Sequence, residues 1–384
     1  MSLKSFIIPR AAQKLLGEDR LNKKRAKFER ARLTNGESHK VQFFHDPSDP
    51  YSQLLEKVLP RFKKTYQIEI ITHLVSPPDD AAAPERDKLA EYSKMDAMRL
   101  AKKAGIDFAI QDRLPAQNTF VADARRKKLG HYLGGTLYYG GEWYWGLDRL
   151  HYLEGRLTAL GARKDSLSAP IYIPPAMPAG SGKTDAELHW YLSYRSPYTA
   201  IVRDRVKALV DAYGAELKIR MVLPMVMRGL PVNPAKKKYI PFDTAREARR
   251  LAVPFGRIMD PVGRPVELGY SLLPWAREQG RDYDFVNAFL TSVWSEGIDA
   301  GSQKGLQKIV ERAGLNWIEA KDILGNDDWR DEAEANRAEM MQRGIWGVPS
   351  FRVGNTITWG QDRLWVIEHA LQKLADTKRG TSHA

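Results

Sequence analysis

The chain contains no cysteine among its 384 residues. That absence removes disulfides, thiolate metal sites, cysteine nucleophiles and dithiol redox chemistry together. Long apolar runs are also missing: no stretch approaches the roughly 18 to 20 uninterrupted apolar residues of a membrane span, and the N-terminus lacks the short apolar core of a secretion signal. These absences read as a cytoplasmic protein with no membrane partner.

What is present is enough for two or three domains, since 384 residues with 43% hydrophobic content can bury more than one core. The formal net charge of +13 permits nucleic-acid binding and equally suits anionic small molecules. Much of the excess lies in "RLNKKRAKFERAR" (20–32), where apolar residues recur at loosely helical spacing. A solvated helix is preferred there over a nucleic-acid or anionic-surface patch. An organelle-targeting segment fits less well, because Glu18, Asp19 and Glu29 interrupt the basic character.

An internal repeat organises the rest. "HKVQFFHDPSDPYSQLL" (39–55) and "AELHWYLSYRSPYTAIV" (186–202) share an apolar strand-like run, a polar turn and x-Pro-Tyr opening a helical pattern. "GGTLYYGGEWYWGLDRLHYLEGRL" (134–157) and "VPSFRVGNTITWGQDRLWVIEHAL" (348–371) both give two short strands about a Gly-containing turn, then Trp-Gly-x-Asp-Arg-Leu and a helix. Between these ends, "KMDAMRLAKKAGIDF" (94–108) follows the pattern of "PFDTAREARRLAVPF" (241–255). Three matches in one order describe tandem copies.

The expected organisation is a basic extension (1–39), a reduced first copy (40–160), a Pro/Gly/Ser-rich linker (161–185), a second copy (186–376) and a short tail (377–384). The second copy carries an all-helical insertion (256–343), including the amphipathic stretches "PVELGYSLLPWAREQ" and "DFVNAFLTSVWSE". Each copy reads strand, helix, strand, helix, then hairpin and helix, which is an α/β architecture. Pro349, just before the strand "SFRV", stands where a cis proline can present backbone groups.

Ser-Pro directly after an apolar run is also a helix start, with serine as N-cap and proline at the first helical position. Here that start is Ser196-Pro197-Tyr198-Thr199. Taken with "GVPSF", "WGQDRL" and "FVNAFLTSVWSEGID", the second copy resembles the thioredoxin-fold DsbA superfamily. Within it, the chain is similar to the 2-hydroxychromene-2-carboxylate isomerases and kappa-class glutathione transferases. The resemblance covers essentially all of 186–376 and implies two tandem thioredoxin-like domains. It also implies glutathione as the source of sulfur. DsbA-type disulfide exchange needs Cys-x-x-Cys at this helix start, so the missing cysteines exclude it.

In that setting Ser196 is a thiolate stabiliser. A thiol with a pKa near 8.5 is only about 3% ionised at pH 7. A helix N-terminus and a hydroxyl donor favour the anion. A shift of about two units would make roughly three-quarters thiolate, worth about 2.7 kcal/mol. A serine-hydrolase reading has little support, because the nearest histidine, His189, lies upstream in the strand.

The resemblance further implies that Val348, preceding Pro349, pairs with the peptide part of glutathione, and that Gln361, Asp362 and Arg363 hold its γ-glutamyl end. Asp362 and Arg363 also fit a helix cap with a structural ion pair, since Asp148 and Arg149 recur in the first copy. Asn233 is the counterpart of a glutathione-binding asparagine, on a loop shorter than the family's. Lys236, Lys237 and Lys238 read either as a draw for an acidic substrate or as a solvated run.

This chain departs from the family in having Ser193 where an Asp is usual and Arg195 where a small residue is usual. Arg195 either serves an acidic substrate or marks a site that has changed its job. The first copy departs further, with Asp49 at the serine position and Gly135 at the proline position. A negative charge there opposes a thiolate, so 40–160 reads as a degenerate domain.

Three functions stay open. One is a glutathione-dependent cis–trans isomerase acting on a small, conjugated, aromatic-derived, anionic substrate, as in aromatic-ring catabolism. The others are a kappa-like glutathione transferase and a non-catalytic thioredoxin-fold binding or scaffold protein. The assembly expected is a homodimer or an intrachain pseudo-dimer.

Overall fold

The computed structural model describes residues 3–164, 169–177 and 179–381. The elements run α1 (Leu3–Leu16), α2 (Glu18–Thr34), β1 (His39–His45), α3 (Pro50–Thr65), β2 (Ile68–Leu74), α4 (Arg86–Lys103), α5 (Phe120–Leu129), β3 (Thr136–Tyr139), β4 (Glu142–Trp145) and α6 (Leu150–Ala159). They continue with β5 (Glu187–Leu192), α7 (Pro197–Tyr213), β6 (Glu216–Met221), α8 (Pro234–Arg250), α9 (Arg264–Glu278), α10 (Asp282–Thr291), α11 (Gln303–Arg312), α12 (Trp317–Ile323), α13 (Trp329–Gln342), β7 (Ser350–Val353), β8 (Thr356–Trp359) and α14 (Leu364–Thr381).

The two halves build the same sheet. Strand order is β2-β1-β3-β4 in the first and β6-β5-β7-β8 in the second. In each, the first two strands are parallel and joined by a crossover helix, and the last two form an antiparallel hairpin. The registers correspond as well: Gln42 faces Tyr138 in one sheet, and His189 faces Arg352 in the other. Both are thioredoxin-like, and the repeat seen in the sequence is a repeat of fold.

The alternation of side chains makes one face of β5 apolar. Leu188, Trp190 and Leu192 are buried with Val202, Val206 and Leu209 of α7 and Ile367 and Leu371 of α14. The insertion helices extend this core through Tyr270, Leu273, Phe285 and Phe289. The first half has its own core, centred on Phe43, Leu55, Phe62, Leu137 and Leu153.

The chain divides into two compact units, and the division differs from the linear order expected. One unit comprises Met1–Gly17, Pro175–Leu230 and Ile240–Ala384; the other comprises Glu18–Pro174 and Pro231–Tyr239. The basic extension is therefore split. α1 goes with the second copy, where the Arg249 guanidinium donates to the Leu16 carbonyl at 3.2 Å. α2 goes with the first, where Arg25 grips Glu142 through two bonds of 2.7 and 2.8 Å. α2 buries no residue completely, as a solvated helix should. Part of the expected linker, 165–168 and 178, lies outside the described residues, as do 382–384 of the expected tail. No described helix is long and apolar enough to cross a membrane.

Candidate active site

The site is built where β5 hands over to α7. Ser196 leaves the strand with φ −92° and ψ 113°, and its Oγ accepts the Thr199 N–H at 3.2 Å, so it is the N-cap that the Ser-Pro pattern predicts. Pro197 fills the first helical position, where its missing N–H costs nothing. The same Oγ donates to the Val348 carbonyl at 3.3 Å. The Val348–Pro349 bond is cis. Folding thus brings Ser196, Val348 and Pro349 together from positions 152 residues apart. The Ser196 side chain is half-buried.

Tyr198 turns its hydroxyl to Asp243 of α8, donating to Oδ2 at 2.8 Å. Asp243 is buried and ion-paired with Arg246 one turn on. The pair therefore anchors the α7 start on α8.

The turn before the serine is fixed on both sides. Tyr194 is buried and stacks on Phe289 with centroids 4.0 Å apart, while the Trp294 indole N–H donates to its carbonyl at 2.9 Å. The insertion is thus the wall behind this turn. Ser193, also buried, accepts the Arg195 N–H at 3.3 Å. Arg195 places its guanidinium on Asp260, Nε to Oδ1 at 3.0 Å and the second nitrogen to Oδ2 at 2.9 Å. The residue that departs from the family pattern is held by a carboxylate of its own chain.

The start of α14 is less open than the resemblance implies. Gln361 is only 2% exposed; its amide nitrogen donates to Glu247 at 2.9 Å and its amide oxygen accepts from Arg205. Glu247 also accepts from Arg250 at 3.2 Å. Burial holds the Arg205 guanidinium down to about 10, against the pull of Glu247. Arg363 is buried beside Asp362, 3.5 Å away. Asp362 itself borders a cavity of about 10 Å³, shared with Arg205, Trp365, Glu368 and the linker residues Pro175 and Met177. That is room for about one water. Glu368 fixes the linker there by accepting the N–H groups of Ala179 and Gly180, each at 2.6 Å.

Sequence reasoning missed Arg205, Glu247 and Glu368. The available signal was weak: α7 carries five charged residues, and only folding shows that Arg203 and Arg205 are the buried ones that demand partners.

Asn233 does not join Ser196 in one compact unit. It belongs with the first copy, where its N–H donates to Ala81 at 3.2 Å. Lys236 goes with it, donating to the Ala82 carbonyl at 3.2 Å, and burial lowers its ammonium below the usual lysine range. This lysine is not part of a solvated run.

The corresponding place in the first copy is filled by its own chain. Asp49 caps α3, accepting the N–H groups of Tyr51 and Ser52 at 3.1 and 3.2 Å. Burial, reinforced by the nearby Asp46, pushes its carboxyl up to about 7. Opposite it, Gly134 and Gly135 stand where the second copy has Val348 and Pro349. A Cβ on Gly134 would lie 2.5 Å from Asp46 Cβ, and Gly135 has φ +62°. Only glycine allows this approach. Ser52 Oγ, His45 Nδ1 and Glu56 continue the network at 2.7 and 3.6 Å. Both Ser52 and His45 are fully buried, so this is internal structure rather than a nucleophile.

Residues 187–372 match the DSBA-like thioredoxin domain family. The 2-hydroxychromene-2-carboxylate isomerase of Pseudomonas putida is 22% identical over 193 residues, which span 48% of this chain and 94% of that protein. The enzyme of the same name from Sphingobium xenophagum is 24% identical over 192 residues, spanning 48% and 97%. A solved structure of a 2-hydroxychromene-2-carboxylate isomerase covers 51% of this chain and 98% of its own at 20% identity, with a TM-score of 0.44.

Proposed function

We propose, from the premise that residues 187–372 form a DSBA-like thioredoxin domain without a cysteine, that this domain is a glutathione-dependent isomerase of the 2-hydroxychromene-2-carboxylate isomerase kind. Its substrate on this reading is a small, conjugated, anionic molecule. The observation that carries the proposal is the Ser196 hydroxyl at the α7 N-terminus, 3.3 Å from the Val348 carbonyl beside Pro349.

The residues fit a bound thiol at one end of the site. The Ser196 hydrogen is given to a neutral carbonyl, a modest bond that a thiolate can replace with a charge-assisted one. The helix N-terminus adds a partial positive charge beside that hydroxyl. Bound glutathione supplies the nucleophilic sulfur for reversible addition to a conjugated double bond. Ser196 lowers the proton affinity of that sulfur, and the Val348 backbone offers a strand-like partner for the peptide. At the other end Asp362 is the acceptor for an α-ammonium group, once the linker beside it gives way.

A second reading, a non-catalytic thioredoxin-fold binding protein, is supported by the commitment of Gln361 to Arg205 and Glu247. A glutathione titration of the wild type and Ser196→Ala, followed by binding and by thiolate absorbance, separates the two. The isomerase reading expects binding at millimolar glutathione and ionisation that Ser196→Ala sharply reduces. No binding by the wild type would sink it. Covalent product rather than rearranged substrate would turn it into a transferase.

A further inference from the structure

Arg195, the residue before the serine, and Asp260 form an ion pair more exposed than the Asp243–Arg246 pair. Asp260 sits in the coil between α8 and α9. Next to it, the Met259 N–H donates to Val293 at 2.8 Å, and Asp260 Oδ1 also accepts the Val262 N–H at 3.2 Å. The carboxylate is therefore held in place, not trailing. Arg195 meets it with both edges of the guanidinium fork, the arrangement that recognises a carboxylate in two dimensions. Lysine at this position would lack that planarity.

Two facts distinguish this pair from the buried ones nearby. The side chains are 26% and 47% exposed, whereas those of Asp243 and Arg246 are 0% and 9% exposed. An exposed pair is worth only about 0.2–1 kcal/mol, so an incoming anion can exchange with it. Arg195 is also the residue immediately before Ser196, and its backbone is fixed by Ser193. Its charge has a fixed origin beside the reacting end of the site.

We infer that Arg195 is a specificity-determining residue that binds the carboxylate of the substrate, and that Asp260 is an internal carboxylate occupying its fork until the substrate displaces it. The inference rests on the reading of Ser196 as the thiol-handling residue and adds the residue pair that selects the substrate's anionic group. A carboxylate-bearing substrate is admitted by exchange of one carboxylate for another, with no net change in charge pairing at Arg195. A neutral analogue must leave Asp260 where it is. Selection follows from what the pair exchanges with.

The test uses trans-cinnamate and its neutral isostere cinnamamide as probes, with binding followed by ligand-observed NMR on the full chain. Asp260→Asn is expected to tighten cinnamate about two- to fivefold, the factor set by losing an exposed competitor, and to leave cinnamamide unchanged. Arg195→Gln is expected to abolish the preference for cinnamate, and Arg195→Lys to restore only part of it. The inference is overturned if Asp260→Asn leaves cinnamate binding unaltered, if Arg195→Gln keeps the preference, or if neither wild type nor Asp260→Asn binds cinnamate. Glutathione binding is read separately: its loss in the wild type would sink the isomerase proposal while cinnamate discrimination still reports on Arg195.

Discussion

Ser196 and Val348 are joined side chain to backbone, the serine hydroxyl donating to the carbonyl at 3.3 Å while accepting the Thr199 N–H at 3.2 Å. One oxygen thus serves the helix and faces the site. The two duties come apart under substitution. Ser196→Ala loses the cap and should cost about 1 kcal/mol in urea unfolding, whereas Ser196→Asp keeps a good cap and should cost under about 0.5 kcal/mol. The aspartate nevertheless places an acidic group where a thiolate belongs, at the position Asp49 holds in the first copy. Ser196→Asp should fold normally and fail to ionise bound glutathione. Normal ionisation in a well-folded Ser196→Asp protein would show that the sulfur lies elsewhere.

Tyr198 and Asp243 offer a sharper contrast. Tyr198→Phe removes one donor to a carboxylate that still has Arg246, and should cost about 1–2 kcal/mol. Asp243→Ala removes the buried carboxylate that both Tyr198 and Arg246 bind, and should cost more, about 3–5 kcal/mol. Equilibrium unfolding of both variants checks the order; equal losses would mean that the α7 anchor does not run through Arg246.

The repeat was legible because its signals are local. Strand alternation, the x-Pro-Tyr helix start and the Gly-containing hairpins are set by residues adjacent in sequence, and each copy states them separately. Ser196, Val348 and Pro349 were grouped through the family resemblance; in the structure the pairing of β5 with β7 brings them together. What stayed hidden depends on pairings between distant elements. Gln361 looks like a ligand residue in a motif, but Arg205 and Glu247, from two other helices, claim both ends of its amide. Nothing in "NPAKKKYI" reveals that 231–239 packs with the first copy. α12 was also missed, being a two-turn helix too short for a period to declare itself. The Arg195 partner, Asp260, lies 65 residues away in a coil, where no spacing rule applies.

Asp49 makes the first copy sensitive to pH in a direction opposite to an ordinary salt-bridged carboxylate. In the unfolded chain its pKa is about 3.9, while burial and Asp46 push the folded value up to about 7. Below about pH 4 the group is protonated in both states and contributes nothing. Between about 4 and 7 the folded state keeps a proton that the unfolded chain has released, so this contribution to stability falls as pH rises. Asp46 is raised likewise, and His45, lowered by burial, acts in the other direction. The variant that isolates Asp49 is Asp49→Asn, which retains the cap. Its stability relative to the wild type should increase between pH 5 and pH 8, by about 1 kcal/mol or more in denaturant unfolding. A difference that stays flat over that range would mean that Asp49 is ionised throughout.

The linker beside Asp362 should act as a cover. Glu368 accepts two consecutive linker N–H groups at 2.6 Å, and the space left at Asp362 is about 10 Å³, far smaller than an amino-acid-sized group. On the proposed reading, binding of the γ-glutamyl end of glutathione at Asp362 displaces this segment and breaks both bonds. Two hydrogen bonds to a charged acceptor at a partly exposed position carry about 1 kcal/mol net, after exchange with water. Glu368→Ala should tighten glutathione binding by roughly three- to tenfold, because the uncovered state no longer has to break them. It should also speed trypsin cleavage at Lys183, which reports release of the linker independently of any ligand. If cleavage accelerates and affinity does not change, the linker is held by Glu368 but does not cover the site. If neither changes, the segment is retained by other contacts around Asp362, and the entry of glutathione is limited by Gln361 and its buried partners instead.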